Sequence, residues 1–520
     1  MPVGRTRSVA LIGLAGSVVE VEADLASQLP ALVIIGLPDA ALGEARERVR
    51  SAATNAGCPL PPRRLTVNLS PASLPKHGSG FDLAIALACL AAAGQVDPAS
   101  VARIAHLGEL GLDGRVRPVA GILPAVLAAS RAGHRTVMVP AANAEEAALV
   151  PGVEVIGVGS LVEAAIRHGG SFDPALLAAF ESADTGPGEP SARPSPRSAP
   201  AGDLADVTGN TEAVEALLVA AAGGHHLFLE GPPGAGKTML ASRLPGILPD
   251  LDTEAALEVA SLRSLAGDPL DGLDLRPPFE SPHHTASAAA MVGGGSRIIR
   301  PGAAPRASHG VLFLDEAPEF AASVLDVLRQ PLESGTISIH RANAVATFPA
   351  RFQLVLAANP CPCGQHGLEH GECSCAPVAR RRYLGRISGP LLDRIDVQLW
   401  VPRITAAGLR MAGERPAFTS AEAKRRVADA RGAAAERLAG TPWRRNAEMP
   451  GPWLRGAGGL HPGGRATAAL DRALERGTVT MRGYDRVLKV AWTLADLDGA
   501  TAPDSGHVGQ ALALRKGMSR

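Results

Sequence analysis

The sequence predicts an α/β fold built on a parallel sheet, preceded by a second α/β unit and followed by a helical one. Three observations carry that prediction. The segment GPPGAGKT at Gly231–Thr238 stands between an apolar run (HLFLE) and a helical stretch (MLASRLPGIL), the strand, loop and helix order of a P-loop. A second apolar run, VLFLDE, ends in Asp315 and Glu316 about 75 residues later. Short β-like runs alternate with helical stretches on both sides of one Pro- and Ser-rich segment.

With 520 residues the chain exceeds what one core accommodates, so about two to four domains are expected. A hydrophobic content of 46% and a charged content of 20% describe a soluble globular protein. The 51 basic and 51 acidic residues cancel, so no global field draws the chain onto nucleic acid, and any such contact must come from local patches. No run of eighteen apolar residues occurs, and MPVGRTRSVALIGLAG has neither a long apolar h-region nor a small-residue cleavage site. A cytoplasmic location with no membrane partner is the expectation. Four of the six cysteines crowd between Cys361 and Cys375, while Cys58 and Cys89 stand alone in apolar surroundings. In a cytosolic protein, clustered thiols suggest a metal before a disulfide framework.

In chain order, residues 1–180 form the first unit: β-like SVALIGL, VVEVEAD, ALVIIGLP, RLTVNLSP, TVMVP and VEVIGVG alternate with helical DAALGEARERVRSAATNAG and FDLAIALACLAAAG. This reads as α/β or α+β. Residues 181–203, ESADTGPGEPSARPSPRSAPAGD, lose all apolar periodicity and read as a linker. Residues 204–403 hold the P-loop strand, the strand ending at Asp315, a helix over SVLDVLRQPLESG, a hairpin over TISIHRANAVATFPARF and a buried strand QLVLAANP. Strands alternating with helices make a parallel sheet whose ligands sit at the strand C-terminal ends. Residues 404–520 are helical: TSAE from Thr419 offers a capping box before EAKRRVADARGAAAERLA, and two or three helices follow.

The P-loop residues Gly231, Pro232, Pro233, Gly234, Ala235, Gly236, Lys237 and Thr238 are suited to phosphate: the tight backbone aims N–H groups at it and Lys237 adds positive charge. The Thr238 hydroxyl and Asp315 would hold Mg²⁺, and Glu316 would polarise an attacking water. ATP and Mg²⁺ are therefore the expected cofactors. Asn359, closing LVLAAN, fits a polar residue between those two strands that reads the γ-phosphate; the alternative is a turn-forming Asn before Pro360. Cys361, Cys363, Cys373 and Cys375 form two C-x-C pairs around a loop containing His366 and His370. They fit a structural Zn²⁺ site, with redox-active thiols and unligated loop cysteines as alternatives. Adjacent His283 and His284 should point opposite ways in an extended segment, which disfavours one shared ion. The segment that follows them and the hairpin around residues 335–350 are candidate pore loops, where Arg297, Arg300 and Arg341 either touch phosphates or stay solvated. The basic run ARRRYLGR at residues 379–386 suits nucleic acid and a subunit interface equally.

These features, with SGPLLDRIDV at Ser388–Val397, resemble AAA+ ATPases of the magnesium-chelatase/MCM branch. The resemblance implies that Arg394 is an arginine finger reaching the nucleotide of a neighbouring subunit; an ordinary ion pair with Asp393 or Asp396 is the alternative. Further segments narrow it: IGLPD from Ile35, ERVRSA from Glu47, TVNLSPASLPKHGSGFDLAIAL from Thr66, GELGLDGRVRPVAGILP from Gly108, SPHHTASAAAMVGGG from Ser281 and NPCPCG from Asn359. Together they are similar to the YifB/ComM family over almost the whole chain.

That resemblance implies a Lon-protease-like N-terminal domain, an AAA+ P-loop core and a helical lid, assembled as a homo-hexamer. Characterised members are ATPases that drive DNA branch migration during natural transformation, so single-stranded or branched DNA becomes the expected partner. Lon-type proteolysis would need a Ser with a Lys base. The nucleophile position falls on Gly80 beside Ser79, the base position falls near Leu123 or Pro124, and Lys76 is the sole lysine in the first 200 residues. In the lid, TMRGYDRVLKVAWTLADLDG resembles a sensor 2 helix, with Arg482 as the residue carried over, Arg486 as its substitute, and Trp492 where relatives often have Arg. A chelatase-type motor acting on a protein partner and a Lon-type peptidase are the two rival functions.

Overall fold

The computed structural model of the chain describes residues 3–36, 39–74, 76, 78–173, 175–177, 202–295, 299–341, 344–368, 372–404, 418–457 and 459–516. The expected linker lies outside these except for Gly202 and Asp203, as do Arg297, His370 and the start of the expected lid at residues 405–417.

The N-terminal part is a seven-stranded sheet. Its order is Ala31–Ile35, Arg64–Ser70, Ala15–Ala26, Gly4–Ile12, Ala105–His106, Thr136–Pro140, Glu154–Val158. The first two strands of the chain pair antiparallel from Gly4 opposite Ala23 to Ile12 opposite Ala15, and Arg64–Ser70 extends them antiparallel. From Gly4–Ile12 outward to Glu154–Val158 every pairing is parallel. The sheet is therefore mixed, and Ala105–His106, too short to show any alternation in sequence, joins its two halves. Helix Asp82–Ala92 is buried at every residue, as a segment apolar all round must be.

The second sheet has five strands in the order Phe279–Glu280, Val311–Leu314, Gln353–Ala358, Leu227–Glu230, Val397–Trp400, all parallel. Its central strands are four to six residues long, three to five of them apolar, and apart from Glu230 are buried on both faces. This parallel arrangement follows the sequence reading. The stretch SVLDVLRQPLESG departs from it: two short helices, Ala322–Asp326 and Pro331–Ser334, replace the expected single helix. Pro331 causes the break, because it has no N–H for a preceding turn and starts a new helix at its first position.

The hairpin forms as expected, Thr336–Arg341 against Ala344–Pro349 with Ile337 opposite Phe348 and Ile339 opposite Ala346. Alternation puts these four on one face. Phe348 and Ala346 are fully buried in a cluster with Leu262 and Leu265, against which Leu11, Ile12, Leu14 and Ile339 pack. The N-terminal sheet thus rests on the hairpin. The same junction includes hydrogen bonds from the Gly121 N–H to the Ser264 carbonyl (3.0 Å) and from the Leu123 N–H to the Ser264 hydroxyl (3.4 Å).

The C-terminal part is helical. Helix Ser420–Arg437 starts with the expected capping box, Thr419 and Glu422 bonding reciprocally, and helices Gly464–Glu475, Met481–Leu497 and Ser505–Lys516 follow. One apolar cluster runs from Leu217, Leu240 and Val397 of the core to Val427, Val487 and Trp492 of these helices, so core and lid share a single interior. Trp492 is buried there; its indole N–H donates to the Leu460 carbonyl (2.9 Å) and its ring lies under the Arg437 guanidinium. Arg437 also makes two bonds to the buried carboxylate of Asp496 (2.6 and 2.7 Å). Among the described residues no helix is long and apolar enough to cross a membrane.

Removing one partner of a buried ion pair leaves the other charge uncompensated. Asp496→Ala should therefore lower stability against urea by about 3 kcal/mol, read as a shifted unfolding midpoint of helix signal. An unchanged midpoint would show that the Trp492 ring and Asn446 Oδ1 hold Arg437 without the carboxylate.

Candidate functional site

Three strand ends meet in one place because Gln353–Ala358 lies between the P-loop strand and the strand ending at Leu314. The P-loop leaves Leu227–Glu230, turns through Gly234 and Gly236 at φ of 76° and 87°, and enters helix Lys237–Ile247. Those two left-handed positions suit glycine and leave the loop backbone curled around the helix N-terminus. The Lys237 ammonium is buried and bonds to the carbonyls of Gly231 (2.6 Å) and Pro232 (3.0 Å) and to Asn359 Oδ1 (3.1 Å). Burial lowers its pKa, opposed by the charges of Asp315, Glu316 and Glu230. The Thr238 hydroxyl donates to Asp315 Oδ2 at 2.7 Å. The loop therefore offers oriented N–H groups and a cation for phosphate, with a hydroxyl and a carboxylate side by side as a hard divalent ion requires.

Glu316 follows at φ 50°, an uncommon conformation for a residue with a side chain, and its N–H donates to Asp315 Oδ1 (2.9 Å). The strained turn separates the two carboxylates: Asp315 faces Thr238, while Glu316 Oε2 meets His284 Nδ1 at 3.3 Å. His284 in turn lies beside His283, ring centroids 4.1 Å apart. This corrects the expectation that the two rings point opposite ways. The chain after Glu280 is no regular strand, so pleat alternation does not apply to it.

The cysteine loop leaves directly from Asn359. The four sulfurs lie within 4.8 Å of one another. Cys361 is fully buried, with its sulfur 3.3 Å from that of Cys363 and 3.7 Å from that of Cys373. A tetrahedral ion with bonds of about 2.3 Å needs sulfurs roughly 3.8 Å apart, so the donor set fits a metal ion. His366, in the same loop, meets Arg380. The loop also touches the nucleotide site, which the sequence did not show: a Cβ on Gly364 would stand 2.6 Å from the Pro233 ring. From the other side, the Asn359 backbone faces the hydroxyl of Tyr383, whose pKa burial pushes up to about 12.

Arg394 is buried, 9% exposed. One guanidinium nitrogen donates to the Pro390 carbonyl (2.6 Å) and the other pairs with Glu333. The sequence alternative, a pair with Asp393 or Asp396, is not what forms. Those carboxylates face the lid: Asp393 meets Arg482 at 3.7 Å and Arg515 at 3.4 Å, and Asp396 pairs with Arg486. Burial opposes ionisation of Asp396, but Arg486 and His225 hold its carboxyl well below the usual range. Arg486 is thus committed to the core–lid seam, whereas Arg482 is an exposed arginine beside the residue preceding Arg394. Arg300 and Arg341 are exposed.

Models of magnesium chelatase subunit ChlI match residues 203–409, of a further ChlI segment residues 21–143, and of the ChlI C-terminal region residues 417–515. An uncharacterized protein of Mycobacterium tuberculosis is 50% identical over the full length of both chains. Competence protein ComM of Haemophilus influenzae is 41% identical across 98% of this chain and 96% of its own, and uncharacterized protein YifB of Escherichia coli is 39% identical across 97% and 96%. The chain belongs to the ComM/YifB family of magnesium chelatase-like AAA+ ATPases. As a member of this family it is an ATP-hydrolysing enzyme.

A Lon protease of Roseiflexus castenholzii is 35% identical over 85 residues, 16% of this chain. In this ComM/YifB-family chain, however, Ser79 bonds to Glu109, and Lys76 is buried with its ammonium on the carbonyls of Pro71 (2.6 Å) and Leu74 (3.2 Å). Gly80 faces open space, and Leu123 and Pro124 are buried in helix Ile122–Arg131. Serine and lysine each have other partners.

Two outcomes follow from this geometry. Glu316→Gln should keep nucleotide affinity within about twofold and cut turnover by about a hundredfold or more, since one positioned acid–base group is lost. ATP hydrolysis at the wild-type rate would remove Glu316 from the chemical step. Elemental analysis of the purified protein should find about one divalent ion per chain, lost in Cys361→Ser; equal metal content in both would detach the cysteines from metal binding.

Proposed function

We propose that this chain is the subunit of a homo-hexameric, cytoplasmic, ATP-driven DNA motor that promotes branch migration of recombination intermediates. What carries the reading is a conjunction: the P-loop, acidic strand and Asn359 converge within hydrogen-bond distance, in a chain similar to Competence protein ComM along nearly its whole length. The DNA substrate comes from the family resemblance.

In this reading ATP lies along Gly231–Thr238 with Lys237 on its phosphates. Thr238 and Asp315 hold Mg²⁺, which supplies charge neutralisation on the phosphate oxygens. Glu316 orients and deprotonates water, and Asn359, bonded to Lys237, reads the terminal phosphate. Arg394 completes the site of the neighbouring subunit, where a cation on the transferring group is worth about 10³–10⁵ in rate. Arg482 reports nucleotide state to the lid. The four cysteines hold a structural Zn²⁺ that fixes the loop between Asn359 and Pro233. The N-terminal domain, residues 1–180, serves as a Lon-like collar without a Ser–Lys dyad, tethered by residues 181–203 to the core (204–403) and lid (404–520).

A chelatase-type motor remodelling a protein partner is the second reading, favoured by the ChlI descriptions of all three matched segments. Hydrolysis on a synthetic three-strand junction separates the two. Wild-type protein should convert the junction to products only with ATP, its ATPase should rise with added DNA, and Lys237→Ala should do neither. An ATPase indifferent to DNA and stimulated only by a chelatase partner protein would overturn the DNA motor.

A further inference from the structure

We infer that Glu333 is a positioning residue: it holds Arg394 withdrawn inside its own subunit and ties the release of that arginine to movement of the hairpin. The inference rests on Arg394 acting on a neighbour's nucleotide, as proposed above.

Arg394 sits between two carboxylates in sequence, yet both are committed to the lid, Asp393 to Arg482 and Arg515 and Asp396 to Arg486. The counter-charge that reaches it comes from 61 residues away, on the single turn Pro331–Ser334. The pair is asymmetric: the Arg394 side chain is 11% exposed and that of Glu333 59%. The guanidinium is nevertheless incompletely satisfied, since its Nε is buried without a hydrogen-bond partner among the described residues. An arginine kept in a pocket by one solvent-facing carboxylate and the neutral Pro390 carbonyl, with one donor unused, is held rather than locked.

The turn that carries Glu333 is continuous with the hairpin. Ser334 Oγ donates to the carbonyls of Gln330 (3.1 Å) and Thr336 (3.0 Å), which fastens the turn to the first residue of the hairpin. Gly335 ends the turn at φ 68°, its N–H bonded to the Pro331 carbonyl (2.8 Å) and its carbonyl accepting from the Ala350 N–H (2.8 Å). Glu333 therefore belongs to the base of a rigid strand pair whose far end exposes His340 and Arg341. Displacing the hairpin carries the carboxylate away from the guanidinium, and an Arg394 without its counter-ion is free to turn toward an external phosphate.

The test compares Glu333→Gln, Glu333→Asp, Arg394→Ala and the Glu333→Gln/Arg394→Ala double variant, measuring ATP turnover with and without single-stranded oligonucleotide DNA. Glu333→Gln should raise the DNA-free rate about fivefold, the size expected from losing one partly exposed ion pair that favours the withdrawn state, and should lower the DNA stimulation ratio by the same factor. Glu333→Asp should stay close to wild type. The double variant should match Arg394→Ala, because Glu333 acts only through that arginine. A Glu333→Gln rate equal to or below wild type would overturn the inference, as would any effect of Glu333→Gln that persists in the Arg394→Ala background. Wild-type turnover by Arg394→Ala would instead overturn the assignment of Arg394 itself, and with it the premise.

Discussion

The site depends on the position of one strand. Gln353–Ala358 separates the P-loop strand from the strand that ends at Leu314, and its last residue delivers Asn359 to the Lys237 ammonium. Parallel pairing fixes that delivery: Glu230 lies opposite Ala358 and Leu314 opposite Leu356, so the three C-terminal ends point the same way within two residues of one another. A one-residue slip would turn each side chain to the opposite face and remove Asn359 from reach, so the register of these strands specifies the chemistry as well as the packing.

Around this centre the structure adds supports from distant sequence. Pro233 takes contact from Gly364 of the cysteine loop and a hydrogen bond from Arg403 to its carbonyl (3.0 Å). The buried ring of Tyr383 lies beside the Asn359 backbone. On the far side of Arg394, Asp393 and Asp396 connect the core to lid arginines, so the residues on either side of the proposed finger bear the core–lid contact while the finger turns inward. The P-loop strand and the lid helices share one apolar interior, and ion pairs such as Asp396–Arg486 cross the same junction.

What was legible in the sequence was local. The P-loop, the acidic strand, the capping box at Thr419 and the hairpin each occupy a short window in which spacing dictates backbone, and each forms where the pattern places it. Six of the seven strands of the N-terminal sheet were legible, but neither the two-residue strand Ala105–His106 nor the mixed order was, since pairing partners are set by tertiary packing. The partner of Arg394 was illegible for a further reason. Two nearer carboxylates compete for it on paper, and only the break at Pro331 brings Glu333 within reach. The closeness of the His283 and His284 rings was illegible because pleat alternation does not hold in an irregular segment.

The seam between the N-terminal sheet and the hairpin has a mechanical meaning. Ala346 and Phe348 are buried against Leu262 and Leu265, with Leu11, Ile12 and Leu14 closing over them. Any excursion of the hairpin that opens this contact exposes apolar surface at about 25 cal/mol per Å², which is roughly 2 kcal/mol for a side chain of phenylalanine size. Opening the seam therefore costs free energy that closing it returns, so contact with the N-terminal sheet favours the seated position of the hairpin.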